Sequence, residues 1–512
     1  MKKINILLYA VLGLSVLISD SCGENYLNVL PEDKITSAIF WKNESDVELA
    51  INGIYAMLRD LAIYGYGPGM DARTANAYQW AYWEGDYQSV GNGSLTPSSA
   101  YVGDHWTACY GMIYRANYFL ANIDKASLAE DKKNIYIGEA HFLRGVAYSL
   151  LADDYGGAPL MTSVMSVDSA NMLKRASQEE TWNQAISDYN IAIENLPVVA
   201  SQPGQATMGA ALGMEMRAYL YQNKYPEVLT VISRIDSLSK YHLFHSYKGL
   251  FQEENEDNEE VMFDVQYMAG PNGQGSSFDA RYKPLTIGDV DLYGGSNSVS
   301  PIQNLVDAYE TINGSPIDPA HPYENRDPRL DFTILRPGAY YEGLLYPVDV
   351  KNHTGQKVGF GWRKYTIEKP VIYNQGSLNF IVLRYADVIL AKAEALIETG
   401  GNVDDAVALI NNIREGRDDV KISPLPMGMS RDAARKALRH ERRVEFAGEG
   451  LYWADIRRWN IGPEIYPLEI RGADGSLVEV KFPDGYNSKY NLLPIPDQEL
   501  SMDPNLTQNP GW

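Results

Sequence analysis

Residues 383–415, LRYADVILAKAEALIETGGNVDDAVALINNIRE, decide the fold. Ala386, Ile389, Ala393 and Leu396 recur at three and four residues, the period of one helical face. Gly400-Gly401-Asn402 breaks that stripe, and Val403, Ala406, Ile410 and Ile413 resume it. Two helices joined by a tight turn, with alanines where their faces meet, can approach closely, as in a tetratricopeptide hairpin. The same plan occupies 206–239, where a helix, the turn Asn223-Lys224-Tyr225 and a second helix follow one another. No clean repeat of ~34 residues is visible, so the units are diverged or interrupted.

Outward from these hairpins the helical period continues. Val47, Ile51, Ile54, Leu58 and Leu61 form one stripe, with Asp46 as an N-cap or first-turn acid. Trp106, Ile113, Asn117, Leu120 and Ile123 form a second. A third runs through Ile135, Ala140, Leu143, Val146, Ala147 and Leu150 to the stop Gly156-Gly157-Ala158-Pro159. Trp182, Ile186, Tyr189, Ile193 and Leu196 form a fourth, ended by Pro197, and two more helices are expected at 430–447 and 451–459. Between these blocks the texture changes. Residues 64–106 hold nine aromatics and seven glycines with little periodicity. Residues 260–380 mix short strand-like runs such as Val261–Val265 with loops rich in Gly, Pro and Asn, and 461–512 carries seven prolines and reads as mostly loop. The expected fold is mainly α: a helical scaffold with tetratricopeptide-like hairpins, long irregular loop insertions and few short strands. Long loops in a compact domain usually carry function.

Composition narrows the function. The chain has 512 residues, 45% hydrophobic and 21% charged, the make-up of a folded protein. Its formal net charge is −22, so phosphate backbones repel it and nucleic acid is not an expected partner. It has 36 Tyr against 12 Phe, with nine Trp; such rings pair an apolar face with a polar tip and suit half-wet surfaces. Two cysteines, Cys22 and Cys109, exclude a disulfide framework and a Cys-rich zinc site. Lys2 and Lys3 precede an uncharged run from Ile4 to Ser19, 16 residues, shorter than the ~20 needed to span a bilayer. It reads as a signal-peptide core, and Cys22, after Ser19-Asp20-Ser21, resembles the lipidated cysteine of a bacterial lipobox, with Asp20 off the strict pattern. Residues 1–21 are thus expected to be a signal peptide, and the mature chain to be anchored to a membrane by lipid on Cys22. Cys109, on an apolar face with Trp106, Tyr110 and Ile113, reads as core filler.

Several stretches resemble the SusD/RagB family of outer-membrane nutrient-binding lipoproteins of Bacteroidetes. Tyr26-Leu27, Pro31 and Asn52-Gly53-Ile54-Tyr55 follow its N-terminal order. Residues 139–160 are similar to its long helix and closing turn, and 304–310 and 325–330 to its central region. Residues 383–390 and 441–450 resemble two helical signatures, and 493–496 with 505–512 its tail. The matches run in order from 22 to 512, so a single SusD-like domain is expected over 22–512. The resemblance implies a non-enzymatic surface lipoprotein of the outer membrane that captures a glycan, or in some members a peptide. It further implies a lid on a SusC-like, TonB-dependent β-barrel transporter that imports the ligand. Arg384, Asp387, Glu441, Arg442 and Arg443 within these motifs read as buried ion-pair staples rather than ligand contacts.

A neutral oligosaccharide needs flat aromatic faces for its C–H surfaces, ringed by hydrogen-bonding side chains. The window 78–88 supplies both, through Tyr78, Trp80, Trp83, Asp86 and Tyr87. A second loop, with Phe278, Arg281, Tyr282, Asp291 and Tyr293, is a candidate second wall, and Trp362, beside Gly359 and Gly361, a third and weaker one. An enzyme reading finds no Gly-x-Ser-x-Gly elbow, His-Glu-x-x-His, P-loop or Gly-x-Gly-x-x-Gly, and a secreted glycoside hydrolase rests only on the abundance of carboxylates. No cofactor or catalytic residue is expected. His242 and His245 lack a third metal ligand, and the acidic run 253–260, though able to attract Ca²⁺, lacks an EF-hand register and reads as a solvated loop.

Overall fold

The computed structural model describes residues 40–81, 87–270, 273–287, 290–292, 295–369, 371–372 and 374–512. The signal segment, Cys22 and the Tyr26–Pro31 match lie outside the described residues, as do Trp83, Asp86 and Tyr293. The longer helices are α1 (Glu44–Tyr55), α2 (Ala100–Leu120), α3 (Glu130–Asp154), α4 (Gln178–Asn195), α5 (Met208–Tyr221), α6 (Tyr225–Ser237), α7 (Tyr385–Glu398), α8 (Val403–Glu415), α9 (Arg431–Glu445) and α10 (Tyr452–Arg458). Side-chain caps start several of them. Asn43 and Asp46 close a capping box on α1, Ser177 and Glu180 another on α4, and Thr207, Asn402 and Ser430 cap α5, α8 and α9.

From α2 to α8 each helix packs on the next, and α9 closes the array against α7 and α8. The close approach inferred from small residues is present: a Cβ at Gly145 of α3 would lie 2.8 Å from the Tyr189 ring of α4. Cys109 is buried, and burial raises its thiol pKa well above the usual value, leaving an inert core residue. The array is continuous in space but not in sequence, because residues 238–384 leave after α6 and return at α7. Antiparallel pairing of Val261–Val265 with Phe380–Arg384 zips the two ends of that excursion together. Leu383 and Arg384 therefore end a fully buried strand, and the helix begins at Tyr385. Two other stretches are more ordered than their texture suggests. Residues 64–106 contain a 3₁₀ helix (Gly67–Arg73), a strand (Ala77–Gln79), a short helix (Tyr87–Asn92) and the start of α2, and 461–512 contains a β-hairpin, Leu468–Arg471 with Leu477–Lys481.

Where the excursion meets the array, charges are buried. Arg384, 1% exposed, donates to Glu260, Glu445 and Glu449. Arg329 bridges Asp327, Glu441 and Glu445, and Arg417 reaches Glu260 and Glu445. Arg442 links Asp387 of α7 to Asp455 of α10, while Arg217 of α5 holds the other oxygen of Asp387. The guanidinium groups beside Asp387 hold its carboxyl down to about 2 despite burial. Arg384, Asp387, Glu441 and Arg442 are thus internal staples; Arg443 sits at the edge, half-buried, bonded to Asn76 and Asn304. Glu260 corrects the reading of 253–260 as a solvated loop, for it is fully buried between Arg384 and Arg417. Glu253 is held by Lys369 and Ser377, and Glu256 accepts the Asn379 N–H.

Burial sets what the loss of each charge costs. Removing one member of a buried ion network strands the others, so Arg384→Met should cost about 3–5 kcal/mol in urea unfolding. Lys392→Met, which breaks a pair with Asp236 at the surface, should cost under about 1 kcal/mol. Glu139 on α3 is 1% exposed, and burial pushes its carboxyl up to about 8. Its folded pKa lies above the unfolded ~4.3, so the stability present at acid pH is lost as pH rises through about 8. Glu139→Gln should therefore gain stability over the native chain between pH ~4.5 and 8, by up to about 1.4 kcal/mol per pH unit across that window.

Candidate functional site

Antiparallel pairing of Ala77–Gln79 with Val299–Pro301 builds the site, with Tyr78 opposite Ser300. The Trp80 N–H donates to the Ser298 carbonyl at 2.7 Å, extending the pairing by one residue. This short ladder joins the start of the first nominated wall, at Tyr78 and Gln79, to a strand that follows the second. Beneath it lies an apolar cluster in which Tyr78 and Trp80 pack with Ile287, Leu292, Tyr341 and Ile470.

The nominated rings form the base of this site and not its face. Trp80 is 7% exposed; its indole N–H donates to Ser300 Oγ at 2.7 Å, and its ring meets Tyr78 edge-on at 5.0 Å. Tyr87 stacks on Tyr66 at 4.2 Å and donates to the Leu61 carbonyl at 2.7 Å. Tyr282 is fully buried and donates to the Tyr66 carbonyl. Arg281 is half-buried, its guanidinium 5.3 Å from the Tyr66 ring centre. Trp362 is fully buried against Gly448. The expectation of presented faces at Tyr78, Trp80, Tyr87, Tyr282 and Trp362 is thus corrected: each hydroxyl of the three nominated tyrosines, and the Trp80 indole, finds an internal acceptor, which fixes the rings inward. Exposed aromatic and apolar surface comes instead from Tyr340, 65% exposed, with Val290, Leu345 and Val348.

A polar cluster that the sequence reading missed lies beside Tyr78. Glu479 Oε2 accepts from the Tyr78 hydroxyl at 2.6 Å and from Gln88 Nε2 at 3.0 Å, and Glu479 Oε1 accepts from Asn92 Nδ2 at 2.6 Å. Burial, reinforced by the Glu479 carboxylate, pushes the Tyr78 hydroxyl pKa far above its usual value. Lys481, two residues on, is 1% exposed and donates to the carbonyls of Ala72, Thr74 and Ala77 at 2.6–2.8 Å. Burial lowers its ammonium to about 7. The only available signal was the alternation of Leu477–Lys481, hidden among prolines and turns.

One His/acid trio among the described residues, Glu310, His440 and Glu441, brings ligand atoms within 4.8 Å of one another. Arg414 already lies 2.5 Å from Glu310 and 3.0 Å from Glu441, Arg329 lies 2.6 Å from Glu441, and His440 Nε2 meets the Ala308 carbonyl at 2.7 Å. Guanidinium groups neutralise these acids and would repel a dication, so the trio is a set of ion-pair partners.

The packing of Trp80 generates a prediction. Trp80→Ala should lower stability by about 3–5 kcal/mol through lost burial. Trp80→Phe, which keeps a ring but strands Ser300, should cost about 1–2 kcal/mol, and exposed Tyr340→Ala should stay within about 0.5 kcal/mol, all read by denaturant unfolding.

Two family models match the chain in succession. One, described as starch-binding and associating with the outer membrane, covers residues 25–220, and the SusD family model covers 259–512. SusD-like protein P38 of Formosa agariphila is 27% identical over 91% of this chain and 93% of its own. The crystal structure of a SusD-like carbohydrate-binding protein from Bacteroides fragilis shares the fold with a TM-score of 0.82 and 27% identity, over 91% of this chain and all of that one. Surface glycan-binding protein A of Bacteroides thetaiotaomicron, in complex with laminarihexaose, shares it at 0.71 and 17% identity, over 91% of this chain and all of that one. With both parts of the sequence matched and the helical array shared along nearly its whole length, the chain belongs to the SusD family.

Proposed function

We propose that this protein captures oligo- or polysaccharide at the cell surface and acts as the lid of a SusC-like, TonB-dependent transporter, anchored in the outer membrane through lipid on Cys22. The observation that carries the capture role is the ladder of Ala77–Gln79 with Val299–Pro301. It joins two segments far apart in sequence, with Arg281 beside it through the Ser298 N–H bond to the Arg281 carbonyl and Gln88 beside it through its bond to the Tyr78 hydroxyl. Rigid support beneath a few adaptable polar groups is what a shallow sugar site requires, because each hydroxyl contact is weak and pre-ordering limits the entropy lost on binding. Two relatives support the ligand class: the Bacteroides fragilis protein is described as carbohydrate-binding, and the Bacteroides thetaiotaomicron protein was solved with laminarihexaose. The lipobox-like Cys22 and the family model's outer-membrane association support the location. The protein is read as a binder, without hydrolysis of its cargo.

Residues 23–512 should retain at least one polysaccharide in affinity gels and calorimetry on a panel that includes laminarin and starch, with no reducing sugar released. Released product would establish a hydrolase. Retention of none, with binding of peptides, would replace the glycan by a peptide cargo.

A further inference from the structure

We propose that the cleft between α1 and the first strand of the excursion binds an acidic oligosaccharide, with Arg59 as the seat of its anionic group. The inference rests on the glycan-capture reading above and adds a site that shares no residue with the ladder. The cleft has a volume of about 470 Å³, within the range of small-ligand sites. Its lining comes from α1 and the 3₁₀ turn Ala56–Arg59, from the turn 203–205 and from the strand end at Asp264, Val265 and Gln266. Arg59 carries the argument. A guanidinium offers five donors, and no described residue accepts one from Arg59, although the chain holds 66 acids against 44 bases. Asp264, the one acid among the described residues of the lining, is already engaged. It is 4% exposed and gives both oxygens to the Gln266 amide and one of them also to the Asn379 amide, at 2.9–3.0 Å. Burial pushes its carboxyl up to about 7, which further weakens its hold on a cation.

Other polar groups of the same cleft are unspent. Asn52 and Gln274 are exposed, and their side-chain amides make no hydrogen bond within the described residues. Gln205 accepts through Oε1 from Ser201 Oγ at 2.8 Å and from the Gln202 N–H at 3.1 Å, which leaves its NH₂ donors free. Amide donors beside a planar fork of N–H groups match the oxygens of a carboxylate or sulfate ester and the sugar hydroxyls next to them. Leu49, 56% exposed, adds apolar surface for sugar C–H groups. The frame that carries these groups is tied together. The Tyr55 hydroxyl accepts from the Ala206 N–H at 2.9 Å, joining α1 to the turn. A Cβ at Gly204, whose φ is +75°, would lie 2.2 Å from Gln266 Cγ, so the turn is pressed onto the strand end. A frame fixed in advance limits the ordering cost of binding.

Calorimetry with defined tetrasaccharides tests the cleft. Tetragalacturonate should bind the native protein about tenfold more tightly than maltotetraose. Arg59→Gln should weaken tetragalacturonate about tenfold and leave the melting temperature within about one degree, because Arg59 makes no bond inside the chain. The pair Asn52→Ala and Gln274→Ala should weaken it several-fold, and it decides alone if Arg59→Gln lowers the melting temperature further. Lys392→Met removes a cation outside the cleft and should change nothing. Sulfated maltotetraose separates the two sources of negative charge: if it binds in place of tetragalacturonate and is lost in Arg59→Gln, the site stands with a sulfate ester as the anion. No binding of either acidic probe, or equal affinity in native and variant proteins, overturns the site. If a neutral polysaccharide is still retained in that event, the capture reading survives without this cleft; retention of no glycan at all sinks both.

Discussion

The guanidinium of Arg384, shared by three buried carboxylates, is the constraint on which the rest of the molecule depends. Glu260 comes from the excursion, Glu445 from α9 and Glu449 from the turn that follows it, so one side chain at the end of its strand joins two segments far apart in sequence, around 260 and 445–449. A planar group with five donors suits this task, since a lysine offers one point charge and no fork. A buried charge is tolerated only when its hydrogen-bonding capacity is met, so each partner must sit where it does. Specificity of arrangement, more than net stability, is what such a network contributes: a shifted helix would leave a bare carboxylate in the core.

From that junction the architecture divides into a helical array, which is regular, and an excursion, which is not. The array supplies stiffness through ring-on-glycine and alanine-on-alanine packing between successive helices. The excursion supplies surface. Its first strand pairs with its last at the base, and its middle reaches back to pair Val299–Pro301 with Ala77–Gln79. The candidate site therefore belongs to neither part alone.

How much of this was legible in the sequence depended on the range of the interaction. Helices showed themselves because their period and their first-turn acids, such as Asp46 in α1, are local. The stapling role of Arg384 and Asp387 was readable because both charges stand among the apolar residues of a scaffold motif, although Arg384 ends a strand and not a helix. The inward turn of Trp80 and Tyr87 was not, because a density of aromatic rings is the same for a sugar platform and for a core. What decides between them is an acceptor such as Ser300 or the Leu61 carbonyl, which no local pattern announces. Glu260 was concealed likewise by its acidic neighbours, and Glu479 by lying some 400 residues from Tyr78.

The break in the helical array between α6 and α7 carries a kinetic meaning. These helices pack as neighbours, yet residues 238–384 separate them along the chain. Closing a loop of that length costs about 4 kcal/mol in chain entropy before any contact across it is rewarded. The helices from α2 to α6 face a smaller toll, since at most 23 residues separate one from the next. Contact distance therefore divides the array: α2 to α6 make their contacts over short sequence separations, whereas docking of α7 on α6 must close the whole excursion. A chain emerging N-terminus first would meet these steps in the same order.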